Sequence, residues 1–82
     1  MRIPTDIDGR ELARILTRYG YHATRQSGSH IRLTSEFKGG QHHITVPDHS
    51  PMKIGTLNSV IREVSSYLEI EKQDLIRELF EK

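Results

Sequence analysis

The sequence predicts an α+β fold in the order α-β-β-β-α, with a short extra helix at the C-terminus and helices covering one face of a three-stranded antiparallel sheet. Two stretches with helical spacing of apolar residues flank a middle region of short, alternating, β-branched segments. The length of 82 residues is that of one small domain. We expect this domain over residues 1–82, with its core over about 8–67 and the helical extension over about 70–81.

The first helix is predicted over about residues 8–19. Its apolar side chains recur at the i, i+3, i+4 and i+7 positions of one helix face: Leu12, Ile15, Leu16 and Tyr19. Gly20 follows, and glycine favours the left-handed conformation in which many helices end. The spacing therefore predicts a helix that packs one face on the core and stops at Gly20.

Three strands are predicted next, in the segments YHATRQ, SHIRLT and QHHITV. These segments cover 21–26, 29–34 and 41–46. Ser27-Gly28 and the segment SEFKGG separate them, and both separators suit hairpin turns. Pro47 ends the third strand, because proline cannot donate a hydrogen bond to the ladder. The segments therefore predict a meander of three antiparallel strands.

Two further helices complete the predicted fold. The second covers about 54–67 and has a helical apolar stripe: Leu57, Val60, Ile61, Val64 and Leu68. The third begins near residue 71 and carries four apolar side chains: Leu75, Ile76, Leu79 and Phe80. The stripes of the first and second helices can cover one face of the sheet, which leaves the other face open to solvent.

Alternation along the strands predicts which residues lie on that open face. Ile31 and Leu33 share one side of the second strand and face the helices, so His30 and Arg32 face outward. By the same rule, the third strand turns His42, Ile44 and Val46 inward. It turns Gln41, His43 and Thr45 outward. The open face is thus expected to gather His30, Arg32 and His43.

Charge is distributed unevenly along the chain, although the formal net charge is only +1. Residues 18–53 contain five basic and two acidic residues, and they hold all five histidines. Residues 54–82 contain four basic and six acidic residues. A basic, histidine-rich middle suits an anionic ligand such as a nucleic-acid backbone. Ordinary charge scatter gives the same pattern, so both interpretations stay open at this point.

Composition excludes several classes of site. The chain has no cysteine, which excludes disulfides, a thiolate nucleophile and a cysteine-based zinc site. His42 and His43 are adjacent in a strand and point to opposite faces, so we expect no metal site and no cofactor. The chain has neither an apolar run of membrane-spanning length nor a secretory signal, so a cytoplasmic protein is expected.

Three short motifs resemble those of one known family. "GSH" opens the second strand at 28–30, "ITVPDH" covers 44–49, and "GTL" opens a helix at 55–57. Their order and spacing, in the α-β-β-β-α frame, resemble the HicA-type toxins, also called YcfA-like. The resemblance covers about residues 10–67. Many family members follow the first motif with a second histidine or an aromatic residue, whereas this chain has Ile31 and Arg32.

The resemblance implies a double-stranded-RNA-binding-domain-like fold and an mRNA interferase, which is an endoribonuclease toxin of a type II toxin–antitoxin system. It implies that His30 is the catalytic histidine and that a HicB-type antitoxin neutralises the toxin by covering its surroundings. Histidine titrates near neutral pH, so His30 can act as a general base or acid without a metal.

Further residues are candidates on the same hypothesis. Gly28 belongs to the turn that positions His30, and His43 is a candidate second proton-transfer group. The residues expected to contact RNA are Ser29, Arg32, Lys38, His43 and Lys53. Two other functions remain open from the sequence: a non-catalytic RNA-binding module of the same fold, and a protein-interaction domain.

Overall fold

The computed structural model describes residues 6–81 and shows the predicted α+β arrangement. The elements in chain order are α1 (Gly9–Ile15), a 3₁₀ turn (Leu16–Tyr19), β1 (His22–Ser27), β2 (His30–Ser35), β3 (His42–Pro47), α2 (Ile54–Leu68) and α3 (Lys72–Phe80). The strands form one antiparallel sheet in the order β1-β2-β3. Residues 1–5 and 82 of the predicted domain lie outside the described residues.

Each strand lies one residue later in the chain than predicted. The hairpin loop between β1 and β2 is Gly28-Ser29, so Ser27 pairs with His30. Gly28 has a φ of 58°, whereas Ser29 is not among the residues with positive φ. A positive φ at only the first loop position is the pattern of a type II′ hairpin turn, which takes glycine there. The predicted separator, Ser27-Gly28, was therefore wrong by one residue.

The first helix tightens before it ends. Its α-helical part stops at Ile15, and Leu16–Tyr19 continue as a 3₁₀ turn. The hydroxyl of Thr17 donates a hydrogen bond to the carbonyl of Arg14 across 2.6 Å, a local bond that competes with regular helical pairing. Gly20 then adopts a left-handed φ of 80° and ends the helix, as predicted.

One hydrophobic core lies between the helices and one face of the sheet. Ile31 and Leu33 from β2, with Ile44 and Val46 from β3, are buried as predicted. By contrast, every residue of β1 is exposed. The segment HATRQS has no large apolar side chain, so β1 lies beyond the cover of the helices and extends the sheet into solvent.

The C-terminal helix belongs to the same core. Leu75, Ile76 and Leu79 of α3 are buried in it. The hydroxyl of Tyr19 donates a hydrogen bond to the carboxylate of Glu78 and ties the 3₁₀ turn to α3. Burial, and then this hydrogen bond, raise the pKa of Tyr19 to about 12.

The start of α1 lies in close contact with the end of β3. A Cβ atom at Gly9 would lie 1.9 Å from the carbonyl oxygen of Pro47, so only glycine fits this contact. The N–H of Gly9 also donates a hydrogen bond to the carbonyl of His49 across 3.0 Å. These contacts fix the strand end that pairs with His30. Within 6–81, no helix combines the length and apolarity needed to cross a membrane.

Candidate functional site on the open face of the sheet

The face of the sheet away from the core carries polar and basic side chains. Residues that are directly opposite each other on neighbouring strands lie on the same face of the sheet, so the observed register shows which residues belong to this face. We call this surface the open face; it consists of His22, Thr24, Arg25, Ser27, His30, Arg32, Thr34, His43, Thr45 and Pro47. None of these ten residues is acidic. The predicted outward direction of His30, Arg32 and His43 is confirmed.

His30 is the first residue of the central strand and is exposed. It lies opposite Ser27 of β1 and Pro47 of β3, so its backbone is paired on both sides. The preceding residue, Ser29, accepts a hydrogen bond on its carbonyl oxygen from the N–H of Asp48 across 2.6 Å. A fixed backbone therefore presents this imidazole to solvent.

The turn requires glycine at position 28 because of its backbone conformation, and not because a side chain there would clash with a neighbouring atom. Its φ is 58°, in the left-handed region that side-chain-bearing residues rarely adopt. A Cβ atom built at Gly28 would meet no atom within 4 Å. The residue thus lies in the turn that precedes β2, and its role in positioning His30 stays a prediction.

Arg25 lies on the open face directly opposite Arg32. An irregularity in the β1–β2 register between Ala23 and Arg25 leaves Thr24 as an extra residue, in the manner of a β-bulge. On the other side of Arg32, the partner in β3 is Thr45. Arg25 was not among the predicted site residues. A two-residue loop at Gly28-Ser29 pairs Ser27 with His30 and therefore Arg25 with Arg32. Recognising that loop in the sequence could have placed Arg25 beside Arg32.

His43 lies opposite Thr34, not opposite His30. Its Nδ1 is 2.8 Å from the hydroxyl of Thr34, which in turn is 3.0 Å from the hydroxyl of Thr24. Thr34 lies four residues after His30 along β2, so the row of cross-strand partners that contains Thr34 is about 13 Å from the row that contains His30. One phosphate cannot contact both rings at that separation. The geometry therefore argues against His43 as a second proton-transfer group at the phosphate that His30 contacts.

The two predicted lysines lie in different parts of the fold. Lys38 is in the β2–β3 loop, at the opposite end of β2 from His30, and its N–H donates to the hydroxyl of Tyr67 across 2.9 Å. Lys53 is exposed and directly precedes α2, in the segment that leaves β3 beside His30. Lys38 is therefore not brought to His30, whereas Lys53 follows the strand that pairs with it.

His42 points away from the open face and is half-buried. Its Nδ1 is 2.7 Å from the hydroxyl of Tyr21, and its ring stacks on that of Tyr67 with centroids 4.6 Å apart. The adjacent histidines thus do not share a ligand. Within residues 6–81, no group of three or more His, Asp or Glu side chains is placed to hold a metal ion.

A groove lies away from the open face, between α1 and α3. It has a volume of about 770 Å³ and is lined by residues that include Ile15, Arg18 and Phe80. None of its lining residues belongs to the open face. The groove therefore does not contribute to the surface that carries His30.

The family comparison agrees with the motifs on this surface. The family model described as "HicA toxin of bacterial toxin-antitoxin" matches residues 9–65, which run from the start of α1 into α2. That range includes all of the open face. No curated protein and no solved structure matches the chain.

Proposed function

Because this chain belongs to the HicA toxin family, and so is the toxin component of a toxin–antitoxin system, we propose that it is an endoribonuclease with His30 as its catalytic residue. It would cleave messenger RNA and thereby inhibit translation and growth. The observation that carries the proposal is the placement of His30. This exposed imidazole begins the central strand, on a face without acidic residues.

RNA supplies its own nucleophile, the 2′-hydroxyl next to the scissile phosphate. In the proposed reaction, a ring nitrogen of His30 takes the proton of that hydroxyl, and the 2′-oxygen forms a bond to phosphorus. The bond from phosphorus to the 5′-oxygen breaks, and the leaving oxygen takes a proton from water. The products are a 2′,3′-cyclic phosphate and a 5′-hydroxyl. This route needs no metal ion, and general base catalysis contributes roughly 10²–10⁴-fold to the rate.

Cations and donors near His30 support binding of the RNA backbone. Arg32 lies two residues along β2 on the same face, about 7 Å away. Its planar guanidinium suits phosphate oxygens. Ser29 directly precedes His30, and Lys53 follows β3 along the chain, directly before α2. The open face has no acidic side chain that would repel an RNA strand.

Family membership also implies a HicB-type antitoxin as the protein partner. We propose that this antitoxin covers the surroundings of His30 and so blocks RNA from the open face. In this state, Arg32 and its neighbours would be inaccessible to the phosphate backbone. A complex with antitoxin should therefore lose RNA binding as well as cleavage.

Induced expression of wild-type protein and of a His30→Ala variant tests the proposal. The wild type should arrest growth and cleave transcripts, and the purified protein should leave 2′,3′-cyclic phosphate ends. His30→Ala should lose at least about 10²-fold in cleavage rate, because the general base is gone. The far-ultraviolet circular dichroism of the variant should match that of the wild type, because His30 is exposed.

His22→Ala is the matched control, since His22 is another exposed histidine of the open face, at the end remote from His30. This variant should keep a kcat close to that of the wild type, because Thr34, the cross-strand partner of His22, lies about 13 Å from His30 along β2. Cleavage by His30→Ala at the wild-type rate would overturn the catalytic assignment. RNA binding without cleavage by the wild type would instead support a non-catalytic RNA-binding module.

A further inference from the structure

Two like charges face each other on the open face, which has no acidic side chain. Arg25 and Arg32 are directly opposed on β1 and β2. Side chains in such pairs start about 5 Å apart, and opposed like charges destabilise a sheet. Among residues 6–81, the ion pairs are Arg10–Asp48 and Arg77–Asp74, so neither opposed arginine is in one. Folding alone does not account for this arrangement.

The two arginines line a shallow depression that contains several hydrogen-bond donors. Its volume is about 270 Å³, and its lining residues are Thr24, Arg25, Arg32, Thr34, Gln41 and His43. Thr34 engages Nδ1 of His43, which leaves Nε2 as the free nitrogen of that ring. The guanidinium groups of Arg25 and Arg32 are the cations of this set, and none of its side chains is a carboxylate. The amide nitrogen of Gln41, at the edge of the set, donates a hydrogen bond to the carboxylate of Glu36 across 3.1 Å.

We infer that this depression is an anion-binding subsite distinct from the position of His30. Its ligand is a phosphate of the RNA strand, next to the phosphate at which His30 acts, and in this respect the inference rests on the proposed function. Arg25 and Arg32 hold the phosphate between their guanidinium groups. The bound anion removes the repulsion between them, which explains why the pair is stable in the complex.

The register gives this subsite a role in binding rather than in chemistry. The Arg25–Arg32 row lies about 7 Å from the His30 row, and the Thr34–His43 row lies about 13 Å from it. An RNA strand that passes His30 and continues over the depression therefore runs along the length of β2. Arg25 therefore contributes to the affinity and register of the RNA, and it does not contact the reacting atoms.

Binding of an uncleavable strand tests the subsite. The probe is a short single-stranded RNA with 2′-O-methyl groups, titrated over a series of KCl concentrations. Arg25→Gln should weaken binding several-fold and reduce the slope of log K against log salt by about 0.7, the value for one lost phosphate contact. Arg62→Gln, at an exposed arginine of α2, is the control and should leave both quantities unchanged.

Thermal unfolding separates a binding role from a structural one. Without an anion, Arg25→Gln should unfold at the same temperature as the wild type or higher, because it removes a like-charge contact. Inorganic phosphate should raise the Tm of the wild type more than that of the variant. A variant that unfolds at a lower temperature and responds equally to phosphate would overturn the inference.

Kinetics distinguish failure of the subsite from failure of the proposed function. With a cleavable RNA, Arg25→Gln should raise KM and leave kcat within about threefold. Unchanged KM and unchanged salt slope would overturn the subsite while cleavage dependent on His30 still stood. Conversely, a lost salt-slope contribution in Arg25→Gln, with cleavage insensitive to His30→Ala, would leave the subsite standing and overturn the catalytic role.

Discussion

The N–H of Asp48 donates a hydrogen bond to the carbonyl oxygen of Ser29 across 2.6 Å. Ser29 ends the hairpin loop before His30, and Asp48 is the first residue after β3. The Asp48 carboxylate also accepts a bond from Nε of Arg10 at 2.9 Å, although Arg10 is largely exposed. The backbone position of His30 therefore depends on the hairpin turn, on β3 and on α1.

Replacing Gly28 by alanine should disturb the turn that positions His30. An L-residue at φ 58° costs about 1–2 kcal/mol, and no nearby atom adds a clash. We expect Gly28→Ala to lose that much in free energy of unfolding, measured by urea denaturation. Because the start of β2 would shift, cleavage should fall by about tenfold or more.

Gly40→Ala is the control for this change. Gly40 also has no atom within 4 Å of a built Cβ, but its φ is not positive. Its substitution should change stability by less than about 0.5 kcal/mol. An equal loss of stability in both variants would show that the left-handed φ of Gly28 is not the cause.

Gly9→Ala should destabilise the contact between α1 and β3. The added Cβ would lie 1.9 Å from the carbonyl oxygen of Pro47, and backbone atoms would have to move. We expect a loss of about 3 kcal/mol in the free energy of unfolding, at the upper end of overpacking costs. Gly55→Ala in α2 adds the same methyl group in open space, and it should gain up to about 1 kcal/mol.

Stability should fall at alkaline pH, in part because of Tyr19. Its pKa rises from the unfolded value of 10.0 to about 12 in the folded chain. The folded state therefore holds the phenol proton more tightly, and this contribution is complete below pH 10 and is lost as the pH approaches about 12. We expect a loss of roughly 2 kcal/mol in the free energy of unfolding across that range, from urea denaturation at a series of pH values.

Tyr19→Phe checks the origin of this pH dependence. The variant loses the hydrogen bond to Glu78, so it should be less stable near neutral pH by about 1 kcal/mol. Its stability should also decline less steeply above pH 10. The decline should persist in part, because burial also raises the pKa of Tyr21. An unchanged decline in Tyr19→Phe would exclude Tyr19 as a source.

Tyr67→Phe should release the loop between β2 and β3. The Tyr67 hydroxyl accepts the N–H of Lys38 across 2.9 Å and donates to the carbonyl of Gly40 across 2.7 Å. The variant keeps its ring on His42 and loses both bonds, at a cost of about 1–2 kcal/mol. Hydrogen exchange of the Lys38 amide should become faster. In Tyr21→Phe, where the lost hydroxyl contacts His42 instead, local exchange at Lys38 should stay slow.

The direction of His30 was predictable because its neighbours have opposite preferences. Ile31 and Leu33 gain free energy by burial, and a strand cannot bury both without turning His30 and Arg32 outward. Burial of Ile31 and Leu33, together with exposure of His30, confirms this reasoning. Periodicity did not predict a catalytic role for His30, which came from the resemblance to the family.

Pairing across the sheet was less predictable than the direction of the side chains. The loop between β1 and β2 differs by one residue from the prediction because the φ of Gly28 selects the turn, and the apolar pattern does not contain that information. The extra residue at Thr24 is likewise a local departure from alternation. The bond between Thr34 and His43 joins residues of different strands, so it follows only from the register.

The C-terminal helices have an excess of acidic residues, whereas the open face formed by β1, β2 and β3 has none. Residues 54–82 hold six acidic and four basic residues, while the open face has none of the acidic ones. The molecule therefore has an electrostatic dipole directed across the sheet. The field of an approaching polyanion exerts a torque on this dipole and turns the open face toward the polyanion. More collisions therefore begin in a productive orientation.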